Sequence, residues 1–366
     1  MSSPKVSILV PVYNVERFLP QCLDALCGQT LRDIEIVCIN DGATDGSPAV
    51  LREYAARDAR VRVIDKQNTG YGHSLNLGIS QARGEYIGII EPDDFPNKRM
   101  FKKLLKVAER THADVVKCNY FNYFEGSDHL VENFAGLPYR RAFDPVDYPQ
   151  VVCSIPSIWT GLYRKTFLER EGINLRETPG AAFQDAGFSL KVWFAARTCA
   201  LAKKPLLHYR MDNPGSSSKT TDKVFTVCEE LADAEAFLRK RPERAHVLLP
   251  WLAVDKWGKY RWNYERISAS EHVAFAQRMV DEYRASQDIR CSNPKTPLCC
   301  AICSTSVPKR SRRLTPIHTK DGPLLKFSII VAAYNVERYI GECLESLRAQ
   351  TFDDFECVVV NDCSQD

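Results

Sequence analysis

The first 120 residues alternate short, mainly apolar runs with longer stretches in which apolar residues recur every three or four positions. Residues 6–10, 35–39, 61–64, 86–90 and 114–118 are the apolar runs, short and mainly apolar as strands buried on both faces of a parallel sheet are. Helical spacing lies between them: Phe18, Leu19, Cys22, Leu23 and Leu26 within 15–26, then 47–57 opened by Ser47 and Pro48, then 74–82 and 98–110. The order predicts a doubly wound α/β domain with right-handed crossovers, its first strand stopping at Pro11. Residues 119–156 lose the pattern and are rich in aromatics. A helix at 188–196 and an edge strand at 201–209 follow. Beyond 221 the spacing turns helical at 223–239, 242–257 and 270–285, carrying Trp251 and Trp257, with Trp262 between the last two. Prolines 294, 297, 308, 316 and 323 then mark a linker.

The tail repeats the head. Residues 326–366 match residues 5–45 without a gap at about half the positions, at a constant offset. The copy reaches its second turn and goes no further. The expected plan is therefore an α/β domain over 1–219, a helical unit over 220–290, a linker over 291–325, and the start of a second α/β domain over 326–366. This reads as a piece of a longer tandem protein.

Composition changes the picture little. The chain has 366 residues, of which 45% are hydrophobic and 26% charged, ordinary for a globular protein. A net charge of +3 gives no argument for a nucleic-acid partner. No apolar run approaches a membrane span, and MSSPK leads straight into a strand, so no signal peptide is read. A cytoplasmic protein with reduced thiols is expected despite 14 cysteines. Cys291, Cys299, Cys300 and Cys303 do not have zinc-site spacing, since only the last pair is separated by two residues. The basic cluster Lys309, Arg310, Arg312 and Arg313 offers a peripheral contact with the inner face of a membrane, against the plainer reading of a solvated linker.

Candidate chemistry gathers at the strand ends, where open α/β sheets bind ligands. The run 86–90 breaks into Glu91, Pro92, Asp93 and Asp94. Such oxygen ligands suit Mg²⁺ or Mn²⁺ holding a phosphate, and they equally suit an acidic turn opening the next helix. Asp41 ends the second run at the same edge. Asn68, Gly70 and Gly72 form a loop that lets backbone approach a ligand. The aromatics Tyr120, Phe121, Tyr123, Phe124, Phe134 and Tyr139 would floor an acceptor site or fill an irregular core.

Taken in order, Pro11-Val12-Tyr13-Asn14 with Glu16, the turn 40–47, Asn68-x-Gly70, Asn76-x-Gly78, Glu91-Pro92-Asp93-Asp94 and Gln184-Asp185 resemble the inverting glycosyltransferases of family 2. The resemblance covers about 4–219. It implies a GT-A fold, a nucleotide-sugar donor (usually a uridine diphosphate sugar), a divalent cation, and a single displacement onto a glycan or lipid-linked acceptor. By resemblance Pro11, Val12, Tyr13, Asn14, Glu16, Asp41, Asn68, Gly70, Asn76, Glu91 and Pro92 contact the donor nucleotide. Asp93 holds the metal, with Glu91 and His208 as further ligands, and Asp185 is the base. Arg210 would assist the diphosphate from the far side. Glu91 stands where the family usually has Asp, and Ser74-Leu75-Asn76 replaces its usual Ala-Arg-Asn, which removes a basic donor contact. Those departures keep open a second reading, a binding or scaffold module that has lost catalysis. A nucleotidyltransferase is disfavoured, because the first strand ends in Pro-Val-Tyr-Asn rather than a glycine-rich basic turn. The tail's apolar strands, cut from their covering elements, are expected to self-associate.

Overall fold

A computed structural model describes residues 3–216, 223–285, 327–333, 337–348 and 355–361. They belong to two units, Met1–Tyr283 and Arg284–Asp366, each taken by itself below. Cys291, Cys299, Cys300 and Cys303, the basic cluster and the whole linker over 291–325 lie outside the described residues.

The first unit is built on a ten-stranded sheet in the order β3-β2-β1-β4-β9-β6-β10-β5, with β7 beside β6 and β8 beside β10. The apolar runs became β1 (Val6–Val12), β2 (Ile34–Asp41), β3 (Val61–Lys66), β4 (Tyr86–Ile89) and β6 (Val115–Phe124). Every residue of β1, β2 and β4 is buried, as layers on both faces require. Of the seven longer strands on the main path, only β9 (Gly161–Arg164) runs against the rest, antiparallel to both β4 and β6. The sheet is thus mostly parallel, as the strand-helix alternation predicted.

Two strands depart from expectation. β1 passes through Pro11 to Val12, still paired with β2. Leu9 accepts from Ile90 on the β4 side, so Pro11, two residues on, turns its missing N–H to the same side. There β4 has already ended at Ile89, and no ladder bond is lost. β10 (Cys199–Arg210) is not an edge. It lies between β6 and the short β5 (Phe95–Pro96), with β8 (Ala142–Phe143) on its other end.

Helices follow the predicted spacing closely. α1 (Leu19–Cys27) buries Leu19, Cys22, Leu23 and Leu26. α2 (Ser47–Arg57) has Pro48 in its first turn. α3 (Tyr71–Gln81) starts three residues earlier than expected. α4 (Met100–Thr111) buries Met100, Phe101, Leu104, Leu105 and Ala108, one stripe at i, i+4 and i+8. After β7 (Ser127–Val131), β8, β9 and α5 (Lys165–Glu171) comes α6 (Gln184–Ala195), buried almost all round because the sheet covers one side and α7 the other. α7 (Thr226–Arg239), α8 (Pro242–Tyr264) and α9 (His272–Ala285) close the unit. Their own apolar cluster includes Leu231, Leu238, Leu252, Tyr260 and Phe275. It takes in Leu190 and Phe194 of α6, so these helices share a compact unit with the sheet.

The second unit is a parallel strand pair, β11 (Phe327–Ala333) and β12 (Phe355–Asn361), with α10 (Glu337–Arg348) in sequence between them. Phe327 pairs with Phe355 as Val6 pairs with Ile34, both members 321 residues later (327 − 6 and 355 − 34). All seven pairs keep this offset.

A candidate active site at the carboxyl edge of the sheet

The strand ends open onto one cleft of about 1740 Å³, larger than a single small ligand needs. One wall comes from the turn after β1. Pro11, Val12, Tyr13, Asn14 and Glu16 all line the cleft, and Tyr13 is half-exposed there. Asn14 and Glu16 also tie this turn to the one after β2. Asn14 Oδ1 accepts from Thr44 N at 2.8 Å, Glu16 Oε2 accepts from Gly46 N at 2.8 Å, and Glu16 N donates to Asp45 at 2.9 Å. Val15 N donates to Ser47 Oγ at 3.1 Å.

Asp41, at the end of β2, lines the same wall, buried. Its Oδ1 takes the Lys66 ammonium and Thr69 N (2.9 Å), and its Oδ2 takes Gly70 N (3.0 Å). Asp41 therefore shapes the loop 68–70, whose Asn68 faces the cleft. Gly70 has φ +98°, and a Cβ there would sit 2.5 Å from Thr178 O, so only glycine fits. Gly70 lies behind the cleft lining rather than on it.

The acidic turn forms the floor, with Glu91, Pro92 and Asp93 lining it. Tyr71 donates its hydroxyl to Glu91 Oε1 at 2.5 Å, and Asn213 donates to Asp93 Oδ2 at 2.7 Å. Burial, then neighbouring carboxylates, push Glu91 up to about 8. Burial raises Asp93 as well. Asp94 points away from the cleft: its Oδ1 accepts from Arg210 N at 2.8 Å and its buried Oδ2 has no partner. Arg210 is buried behind the turn, donating to Asp93 O (2.8 Å), Asp212 and Gln21, with Phe18 4.8 Å from its guanidinium. It braces the acidic turn instead of reaching a ligand.

Among the described residues no three His, Cys, Asp or Glu side chains converge as a metal set. Mg²⁺ and similar ions bind through one or two carboxylates plus substrate phosphates. Glu91 and Asp93, with burial opposing their charge, fit that arrangement. His208 does not join it. It stacks between Phe95 (4.6 Å) and Phe121 (5.2 Å), and its Nδ1 faces Asp128 at 2.8 Å, away from the cleft lining. Asn76 is also elsewhere, clamping the chain at Leu175 and Glu177 with three hydrogen bonds.

Asp185, in the first turn of α6, lines the same cleft, and its charge is felt at Glu91. The preceding Phe183 adopts φ +60°, ψ 4°, a left-handed conformation uncommon for a bulky residue. Asp185 Oδ1 accepts from Ala186 N at 2.9 Å. Burial raises the carboxyl, while Lys259 and Lys117 oppose that rise. Lys117 is itself buried beneath the loop 153–160, bonded to Ser157 O and Tyr163 Oη, and burial lowers it to about 7.

Two features of the cleft were not anticipated. The aromatics of 119–156 do not floor it; Tyr120 and Phe134 are core. The stacked aromatic pair in the lining is Trp159 and Tyr209, at 4.8 Å and 10°, and Phe183 meets Trp262 edge-on there as well. Another wall is one face of α8 and the turn after it: Val254, Gly258 and Trp262 in one column that Arg266 continues beyond the helix, Asp255, Lys259 and Asn263 in the next. Both columns step by four residues, the one signal in the sequence that could have revealed them.

The Glycosyl transferase family 2 model matches residues 7–170 and again 328–366, the repeated segment. The glycosyltransferase EpsJ of Bacillus subtilis, uncharacterized, is 36% identical over 219 residues, 58% of this chain and 62% of EpsJ. A chondroitin synthase of Escherichia coli is 38% identical over 92 residues, 25% of this chain and 13% of the synthase. The chain thus spans less than two thirds of these curated relatives. Among solved structures, S. aureus TarS 1-349 in complex with UDP-GlcNAc superposes with a TM-score of 0.55 at 18% identity, over 76% of this chain and 89% of TarS 1-349. The fold is GT-A, and the chain belongs to glycosyl transferase family 2.

Proposed function

We propose that the protein transfers a sugar from a nucleotide-diphosphate donor, a UDP-sugar, to a glycan or lipid-linked acceptor during synthesis of a cell-surface or extracellular polysaccharide. The observation that carries this reading is the meeting of Glu91, Asp93 and Asp185 in one cleft that Tyr13 and Asp41 also line. The TarS complex with UDP-GlcNAc supports a uridine nucleotide as donor, and the synthase relative supports a polysaccharide product.

In this reading the acceptor oxygen bonds to the anomeric carbon as the bond to the diphosphate oxygen breaks, inverting that carbon. Asp185 takes the proton of the attacking hydroxyl. A base for in-line attack belongs opposite the leaving group, and that is the place this reading gives Asp185 within the cleft it shares with the acidic turn. Glu91 and Asp93 would hold Mg²⁺ or Mn²⁺, which neutralises charge gathering on the leaving diphosphate. Asp41 and the loop 68–70 shape the nucleobase side. A second reading, a binding module without catalysis, has one observation in its favour: Glu91 Oε1 is already taken by Tyr71.

Calorimetric titration with UDP, in Mn²⁺ and again in chelator, tests the proposal. We expect binding in Mn²⁺ and much weaker binding in chelator, because the carboxylate turn repels a bare diphosphate. Equal affinity under both conditions overturns the metal role. No binding under either overturns the donor assignment.

A further inference from the structure

Asp255 and Lys259 stand one turn apart on the cleft-facing side of α8 and form an ion pair. Asp255 is only 7% exposed, and its Oδ1 meets Lys259. Its Oδ2 is shielded from solvent and has no partner, although the residue lines the cleft. A carboxylate oxygen without a donor gains by acquiring one, and a turn of the side chain would bring it to a donor in the cleft.

The chemistry of the pair selects the donor. The pair carries no net charge, so it favours neither an anion nor a cation. A hydroxyl can donate to the carboxylate, and it or its neighbour can accept from the ammonium. Two turns along the same face, Trp262 is still 44% exposed, with the Arg266 guanidinium 3.8 Å from its ring centre. A flat aromatic beside a hydroxyl-binding pair is the combination that a sugar ring requires, one apolar face and a polar edge. Trp262 also meets Phe183 edge-on at 5.9 Å, two residues before Asp185.

We infer that Asp255, Lys259 and Trp262 form the subsite that holds the acceptor's uncharged sugar ring and presents its hydroxyl to Asp185. This rests on the glycosyltransferase reading above and adds to it the acceptor class and the residues that read it. Through Phe183, an acceptor seated on Trp262 would bear on the turn that orients the base.

The test uses the full chain and three probes: the methyl β-glycosides of glucose, galactose and N-acetylglucosamine. Each is titrated with and without UDP and Mn²⁺ by saturation-transfer NMR. We expect at least one glycoside to bind, and Asp255→Asn and Trp262→Ala each to weaken it roughly tenfold or more. UDP binding serves as the fold check for both variants, and Trp262→Ala carries the test if Asp255→Asn fails it. The subsite is overturned if no glycoside binds the wild-type chain, or if the folded variants bind as wild type does. A wild-type chain that binds a glycoside but no UDP sinks the donor reading alone.

Discussion

Asp185 owes its position to Phe183, two residues earlier. A left-handed conformation costs a bulky residue of the order of 1–3 kcal/mol, and here packing supplies it. Phe183 packs against the helical cluster and meets Trp262 edge-on. The strain aims the first turn of α6 into the cleft. If Asp185 is the base, Asp185→Asn should keep UDP affinity near wild type while turnover drops by roughly 10² or more. Asp93→Asn should harm both. Steady-state transfer assays beside calorimetry separate these outcomes, and near-normal turnover in Asp185→Asn would remove the base assignment. Asp185 and Asp93 were legible because each follows a recognisable run: one sits after Gln184, the other ends an apolar strand. Asn76 and His208 were misplaced for the opposite reason. Their surroundings are long-range, the chain at Leu175 and Glu177 for Asn76 and Asp128 for His208.

Between elements, the seam of α6 and α7 carries a pH signature. Glu230 on α7 is buried against Gly187 of α6, where any Cβ would come within 2.3 Å of its carboxylate. Burial, against the pull of Arg176 and Lys191, raises Glu230 to about 8. A carboxyl raised on folding binds its proton more tightly in the native state. Its stabilising contribution is complete below the ordinary range near 4.5 and is lost as pH rises through about 8. Thermal melts from pH 5 to 8 should therefore show falling stability, and Glu230→Gln should flatten that slope. An unchanged slope would place the proton elsewhere. Element reading from sequence succeeded wherever one period dominated, as in β1 to β4 and α4. It failed for α8, which runs to Tyr264 rather than stopping near Trp257. That helix buries Leu248 and Leu252 on the core side and lines the cleft on another, so no single apolar stripe marks its extent.

For the whole molecule, the described residues that line the cleft all belong to Met1–Tyr283. A chain ending at Ser306 should bind UDP as the full chain does. The matched register of β11 and β12 gives the tail the same strand pairing as β1 and β2, and Val359 is 39% exposed on it. Exposed apolar strand surface seeks a partner, so light scattering should find the shorter chain less associated. Lost UDP binding would show instead that the tail supports the first unit. No helix among the described residues is long and apolar enough to cross a membrane. The ties between the turns after β1 and β2 carry a thermodynamic meaning. Asn14, Glu16 and Ser47 join those walls by hydrogen bonds within the chain itself. Walls already joined lose little conformational freedom when a ligand arrives. The entropy change on nucleotide binding is then set by the nucleotide and the water it displaces, with little contribution from the chain.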